Sequence, residues 1–437
     1  MTLKGITRRL FTSAGLAAML MLPGTVMGQD VIELTVLAPS SFTPDAPVPE
    51  VADLYRDIWN EFEANNPGIK LRVEQFPGGT EALRDILTRG TADNLSDLGV
   101  MDTFWVPRLH ASGYLQSLEG VLSEEDKADY LKGVLEATTH DGALRAIYIY
   151  NAWRGLFYRP SVAAQVGYDA PPTDWASFLE FGRKLKEAGF TKPVMLPALL
   201  NEVTMQYSYS QFLGLGGRIT DDSGKPIFHE PGNREKLEQV YAMWRELVAE
   251  GLMPAEVGTM DEAATRPFFY TGEAAVLGAS TSSINQMYTD MPDLRGDLSL
   301  SPMPLPDGQS PVPLLAAWAY VVFTDDPARQ EAANKFVNYM VSPDVLGRLN
   351  VAQGHIPLRN SIWDNYPEYS DSPMLQRLRE IFSDPRVQER SIFPIYPAIK
   401  DAITGQMAAV IAGEITPAQA VDNAGAEAVA AFERMAD

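Results

Sequence analysis

The chain has 437 residues, 46% of them apolar, which suggests two cores, since single cores stop growing at roughly 250–300 residues. Its 57 acidic against 35 basic residues give a formal net charge of −22 and argue against a nucleic-acid partner, because phosphate binding requires a basic surface. There is no cysteine and there are only four histidines, none in an HExxH pattern, so disulfides, thiolate zinc sites, cysteine nucleophiles and a transition-metal enzyme are not expected.

The opening MTLKGITRRLFTSAGLAAMLMLPGTVMGQD combines Lys4, Arg8 and Arg9 with a short apolar run over 16–22. This predicts a secretory signal over 1–28, because the run is far shorter than the roughly 20 apolar residues of a bilayer span. Thr7-Arg8-Arg9-Leu10-Phe11 resembles the twin-arginine export motif, although the lysine that usually follows is absent. A general secretory signal would lead to the same compartment, so the mature protein is expected free in the periplasm.

After the signal, residues 31–37 alternate as a strand, APSSFTPDAPVP reads as a loop, and Leu54, Ile58 and Phe62 fall at helical spacing until NNPG stops them. A strand follows over 69–74, a helix over 81–89, a short strand over 98–101, a helix over 106–111 and a strand over 144–150. Such alternation predicts an α/β fold with an open, mostly parallel sheet, whose ligands sit on loops at the carboxyl ends of strands. Longer helices are then expected over 174–188, 203–212, 234–250 and 261–271.

FFYTGEAAVLGASTSSIN, residues 268–285, reads as a buried strand ending at Gly278 and handing over to small hydroxyl residues. SPMPLPDGQSPVPL, 301–314, is too rich in proline for a helix and reads as a connection between lobes. A strand over 315–323 and helices over 327–341 and 344–351 follow.

Seven segments in order, from FEANNPGIKLRVE and DLGVMDTFWVPRLHASGYLQSLEG through FYTGEAAVLGASTSSIN and PMPLP before AWAYVVF to AANKFVNYMVSPDVLGRLNVAQGHIPLRNS, resemble the extracellular solute-binding proteins of carbohydrate ABC importers, the maltose-binding-protein-like family. The resemblance covers nearly the whole mature chain. It implies a two-lobed Venus-flytrap fold, each lobe a central sheet flanked by helices, with one lobe over 30–145 plus 313–360 and the other over 146–312 plus 361–437. It further implies capture of a sugar and its delivery to the importer's permease subunits, by a monomer without a cofactor, a metal or catalysis.

Sugars require hydrogen-bonding side chains for their hydroxyls and aromatic faces for their C–H surfaces. Aromatic candidates are Phe42, Trp105, Tyr150, Trp153, Trp318, Tyr320 and Tyr396; polar candidates are Ser41, Thr80, Asp102, Asn151, Glu202 and Arg359. At Ser280, Thr281 and Ser282 the family often places a tryptophan, so hydrogen bonding is expected there in place of stacking. The alternative ligand is a polyol or a glycerol-phosphate-like anion, for which Arg154 and Arg359 are the natural cations. The remote alternative is a secreted glycosidase, which would need a carboxylate pair about 5–9 Å apart.

Overall fold

In the computed structural model, residues 31–76, 86–88, 95–390 and 393–436 are described. The signal over 1–28, Thr80 and most of the helix expected over 81–89 lie outside them. Thirteen strands follow in chain order: β1 (Ile32–Ala38), β2 (Ile69–Gln75), β3 (Leu98–Asp102), β4 (Thr139–His140), β5 (Ala143–Leu144), β6 (Ile147–Asn151), β7 (Arg154–Tyr158), β8 (Val194–Met195), β9 (Val276–Ser280), β10 (Ser299–Ser301), β11 (Leu314–Leu315), β12 (Ala317–Val322) and β13 (Gln388–Glu389).

Two main sheets organise the chain, one in each lobe. The first has the order β2-β1-β3-β12-β6 and the second β10-β7-β9-β8. In the first, β1 runs parallel to β2 and β3, whereas β12 is antiparallel to both β3 and β6, so the sheet is mixed, with its late strand inserted between early ones. β3 is buried along its apolar length, as expected of a strand covered by helices on both faces. Helix Pro49–Asn65 covers this sheet through Tyr55, Ile58, Trp59 and Phe62, and Phe62 meets Phe336 of helix Pro327–Met340 edge-on at 5.1 Å. In the second lobe, helix Arg234–Ala249 buries Leu237, Val240, Tyr241, Trp244 and Leu247 along one stripe.

Asp174, Asn201, Asp261 and Asp326 each accept a backbone N–H at the start of the following helix, which explains why those helices begin there. The strand expected to end at Gly278 instead runs on to Ser280. Glycine is needed at 278 for packing: a Cβ there would come 2.9 Å from Leu196 Cδ2.

Strand register brings the functional segments to one line. Trp318, at the start of β12, pairs with Asp102 at the carboxyl end of β3; Ala317 pairs with Asn151 at the end of β6; and Arg154, at the start of β7, pairs with Ser280 at the end of β9. The chain passes between the sheets within Asn151–Arg154 and again between Ser301 and Ala317, so the strand ends of both sheets converge where the lobes meet. Tyr320 lies further along β12 in the first core, edge-on to Phe336 at 6.2 Å. Among the described residues no helix is long and apolar enough to cross a membrane.

Candidate functional site

The lobes meet over two linked groups of side chains, one aromatic and one charged. In the first, Phe42 follows the carboxyl end of β1 and lies 5.1 Å from Trp318 and 6.0 Å from Tyr150, measured between ring centroids. Tyr150 stacks face to face on His355, at 3.6 Å and 7°. Trp318 is half-buried, whereas Phe42, Tyr150 and His355 are buried.

The charged group centres on Arg390, buried to 1% side-chain exposure. Its Nη2 donates to Asp102 at the end of β3 and to Thr103 Oγ1. Nη1 donates to Glu202 Oε1 at 3.0 Å, and Nε to Glu389 Oε1 at 3.1 Å. Tyr396 donates its hydroxyl to Glu202 Oε1 at 3.1 Å, and Tyr148 donates to Glu389. One guanidinium thus joins a carboxylate of the first lobe to one of the second.

Electrostatics follow from that arrangement. Burial pushes the Asp102 carboxyl above the ordinary aspartate range, against the pull of Arg390. Burial opposes the charge on Arg390, but Asp102, Glu202 and Glu389 more than offset it and hold the guanidinium protonated. Among the described residues Glu202 Oε2 is buried without a hydrogen-bond partner, a spare acceptor in this group.

Ser280 and Thr281 are turned inward. The Thr281 backbone N–H donates to Trp153 O at 2.9 Å, and Thr281 Oγ1 accepts from Trp153 N at 3.1 Å, so these residues fasten the strand end to the chain crossing. Ser282 is exposed and shares a hydrogen bond with Ser280 at 2.8 Å between hydroxyl oxygens. Asn151 is likewise structural, accepting from Ala316 N at 2.7 Å. Trp153 lies flat over Gly155, where a Cβ would come 2.0 Å from the indole. Gly155→Ala should therefore displace that ring, cost roughly 1–3 kcal/mol by overpacking, and shift tryptophan emission with little change in far-UV circular dichroism.

The structure brings Ser41, Phe42, Asp102, Asn151, Trp153, Glu202, Ser280, Thr281, Ser282, Trp318 and Tyr396 to the meeting of the lobes. It does not bring Trp105, Tyr320 or Arg359 there. Trp105 is 1% exposed in a separate apolar cluster with Met101 and Leu109. Arg359 is held by Asp129 at 2.7 Å and by Asp126, and donates to Val341 O at 2.8 Å, which leaves its guanidinium committed to the fold. Arg390, Glu389 and His355 escaped the sequence reading. Arg390 and Glu389 lie in VQERS, which has no periodicity or motif, while His355 lies in GHIPLR, where only the arginine stood out.

A cavity of about 230 Å³ opens between the lobes beside this aromatic group, lined by Ser41 and His355 on one side and Ser282 and Asn285 on the other. A larger one of about 470 Å³ adjoins Arg390, but Gly133, Ala137 and the turn Arg218–Asp222 line it. Apart from Gln388 and Glu389 of β13, its walls are helix ends and turns rather than sheet-strand ends.

Two sheet-centred lobes with a polar and aromatic seam between them define a two-lobed solute-binding protein. The model of the bacterial extracellular solute-binding protein family matches residues 46–346, and the chain belongs to this family. A Brucella abortus (strain 2308) relative, named as a binding protein, is 21% identical over 386 residues, covering 87% of this chain and 90% of that one. A Deinococcus radiodurans relative whose name describes an ABC transporter-binding protein is also 21% identical, covering 84% and 86%. Among solved structures, the sugar-binding protein MalE of Xanthomonas citri superposes with a TM-score of 0.78 at 20% identity, covering 93% of this chain and 98% of that one. A solute-binding protein of Thermotoga lettingae bound to α-D-tagatose gives 0.75 at 22% identity, covering 91% and 99%.

Proposed function

We propose that the protein captures a neutral sugar or polyol between its lobes and passes it unchanged to the membrane permease of an ABC importer. One observation carries the reading: the carboxylates Asp102 and Glu202, from opposite lobes, meet on Arg390 beside the ring group Phe42–Tyr150–Trp318–His355. Carboxylates take hydrogen bonds from hydroxyls and flat rings take their C–H faces. The division into lobes over 30–145 plus 313–360 and 146–312 plus 361–437, the export signal, the periplasmic location and the monomeric state belong to the same reading. The names of the Deinococcus and Xanthomonas proteins support it.

Charge favours a neutral solute over a glycerol-phosphate-like anion. Arg390 faces three carboxylates, Arg154 is held by Gln206 at 2.7 Å and faces Glu262 at 3.5 Å, and Arg359 is held by Asp126 and Asp129. Each cation expected to meet an anion is therefore already neutralised. Calorimetric titration of neutral saccharides and polyols against glycerol 3-phosphate tests this, together with scattering with and without ligand. Binding of a neutral solute with a fall in radius of gyration is expected; binding of the phosphate alone overturns the reading. Recovery of the bound sugar unchanged after incubation separates capture from glycosidase activity.

A further inference from the structure

The cavity of about 230 Å³ between the lobes has no charged side chain in its lining. Its polar groups are Ser41, Gln353 and His355 from one lobe and Ser282, Asn285, Gln286 and Thr289 from the other. Gln353 Nε2 donates to Tyr55 at 3.2 Å, Gln286 Nε2 to Asp290 at 2.6 Å, and Asn285 Nδ2 to Ala352 O at 3.5 Å. Each amide nitrogen thus gives one of its two N–H groups to the protein, while among the described residues no hydrogen bond reaches the three amide oxygens. Val48 and Val51 supply an apolar wall.

His355 is the one titratable group in the lining. It is 7% exposed and held flat on Tyr150, and among the described residues no hydrogen bond reaches its ring. Its ring nitrogens are not sealed off from solvent, so a solute entering the cavity can pair with them in place of water. Burial pushes its pKa down to about 3, so at neutral pH the ring carries one donor and one acceptor. A hydroxyl, itself donor and acceptor, complements that ring, the amide oxygens and the two serines together. An ion would enter without a counter-charge and with its desolvation uncompensated.

The volume limits size as the lining limits chemistry. It falls below the roughly 300–1,000 Å³ of sites for drug-sized ligands, which suits one ring better than a chain of rings. Beside the cavity the helix Pro343–Gln353 ends at Gly354 with φ +67°, where a Cβ would come 2.8 Å from Asn285 of the opposite lobe, so the two lobes approach closely there.

Resting on the neutral-solute reading above, we propose that this cavity is a subsite of the solute site, next to the ring group and the Arg390 cluster, that it accepts a single uncharged polyhydroxylated ring, and that His355 is its specificity-determining residue. The test is calorimetric titration of the full chain with D-glucose, D-tagatose, D-mannitol and maltose, and with D-glucosamine and D-glucuronate as charged counterparts. Wild type, His355→Phe and His355→Asn are compared. Phenylalanine keeps a flat ring for Tyr150 and removes both nitrogens; asparagine restores a donor and an acceptor.

At least one neutral monosaccharide should bind and shift the His355 imidazole resonances, assigned by their loss in His355→Phe. That variant should bind it roughly tenfold to a hundredfold more weakly, the range for leaving a hydroxyl unpaired, with the melting temperature of the unliganded protein maintained. His355→Asn should recover part of the loss, and wild-type affinity should be flat from about pH 5 to 8, above the depressed histidine pKa. Equal binding by His355→Phe, equal binding of the charged counterparts, or binding of maltose without any monosaccharide would overturn this inference and leave neutral-sugar capture standing. Failure of wild type to bind any of the neutral probes would overturn both.

Discussion

Arg390→Met should lower the melting temperature by several degrees at neutral pH and weaken solute binding more than tenfold. The substitution removes the cation that Asp102, Glu202 and Glu389 share, and breaking a buried ion pair by deleting one partner costs about 3–5 kcal/mol because the other charge is left uncompensated. The sign of the pH dependence follows from Asp102. Its folded pKa is already raised, so its contribution to stability is full below the unfolded value and is lost as pH rises through the folded one. Without Arg390 that rise is larger, so the deficit should shrink on acidification from pH 7.5 to 5. Melting curves of both proteins across that range check the claim, and a deficit that grows toward acid would refute it. Binding should suffer because Asp102 and Glu202, from opposite lobes, would repel where they now share a guanidinium.

Arg359→Met should be destabilising to a similar degree, about 3–5 kcal/mol, yet leave the affinity of the folded fraction for solute within about twofold. Its guanidinium ties the segment after Pro357 to Asp126 and Asp129, and Ser361 adds bonds to Asp129 of 2.8 Å from its backbone N–H and 2.6 Å from its hydroxyl. Burial works against these two carboxylates, but Arg359, with Ser123 at Asp126 and Ser361 at Asp129, holds both below the ordinary aspartate pKa of 3.8. A depressed carboxylate contributes stability above its unfolded pKa and loses it as pH falls through the folded value. Wild type should therefore weaken below about pH 4, and the variant should show a flatter acid limb. Calorimetric titration at a temperature where the variant is folded separates the two roles, and a large affinity loss there would make Arg359 a ligand residue after all.

The contrast between these arginines shows what was legible in the sequence. Period-two and helical patterns marked β1, β2, β3 and β12 and the helices capped by Asp174 and Asp326, because burial of one face is a local property of the chain. The convergence of Asp102, Trp318 and Asn151 depends on where β12 inserts, which is a matter of long-range register, and only the ordered resemblance of segments hinted at it. Arg359 and Arg390 look alike in one dimension; their acids lie some 230 and 288 positions away along the chain. Ser280 and Thr281 were expected to offer their hydroxyls to the cleft; their inward orientation follows from the extra length of β9, which the glycine at 278 concealed. The late helices Pro373–Phe382 and Pro417–Ala436 were not read as elements, although the first has a strongly one-sided apolar stripe.

The insertion of β12 between β3 and β6 bears on biosynthesis. The sheet that opens with the earliest strands lacks its fourth until residues 317–322 leave the ribosome, by which time every strand of the other sheet has already emerged. Of the two main sheets the one begun first is therefore closed last, and β6, whose only neighbour in it is β12, waits until then without a strand partner.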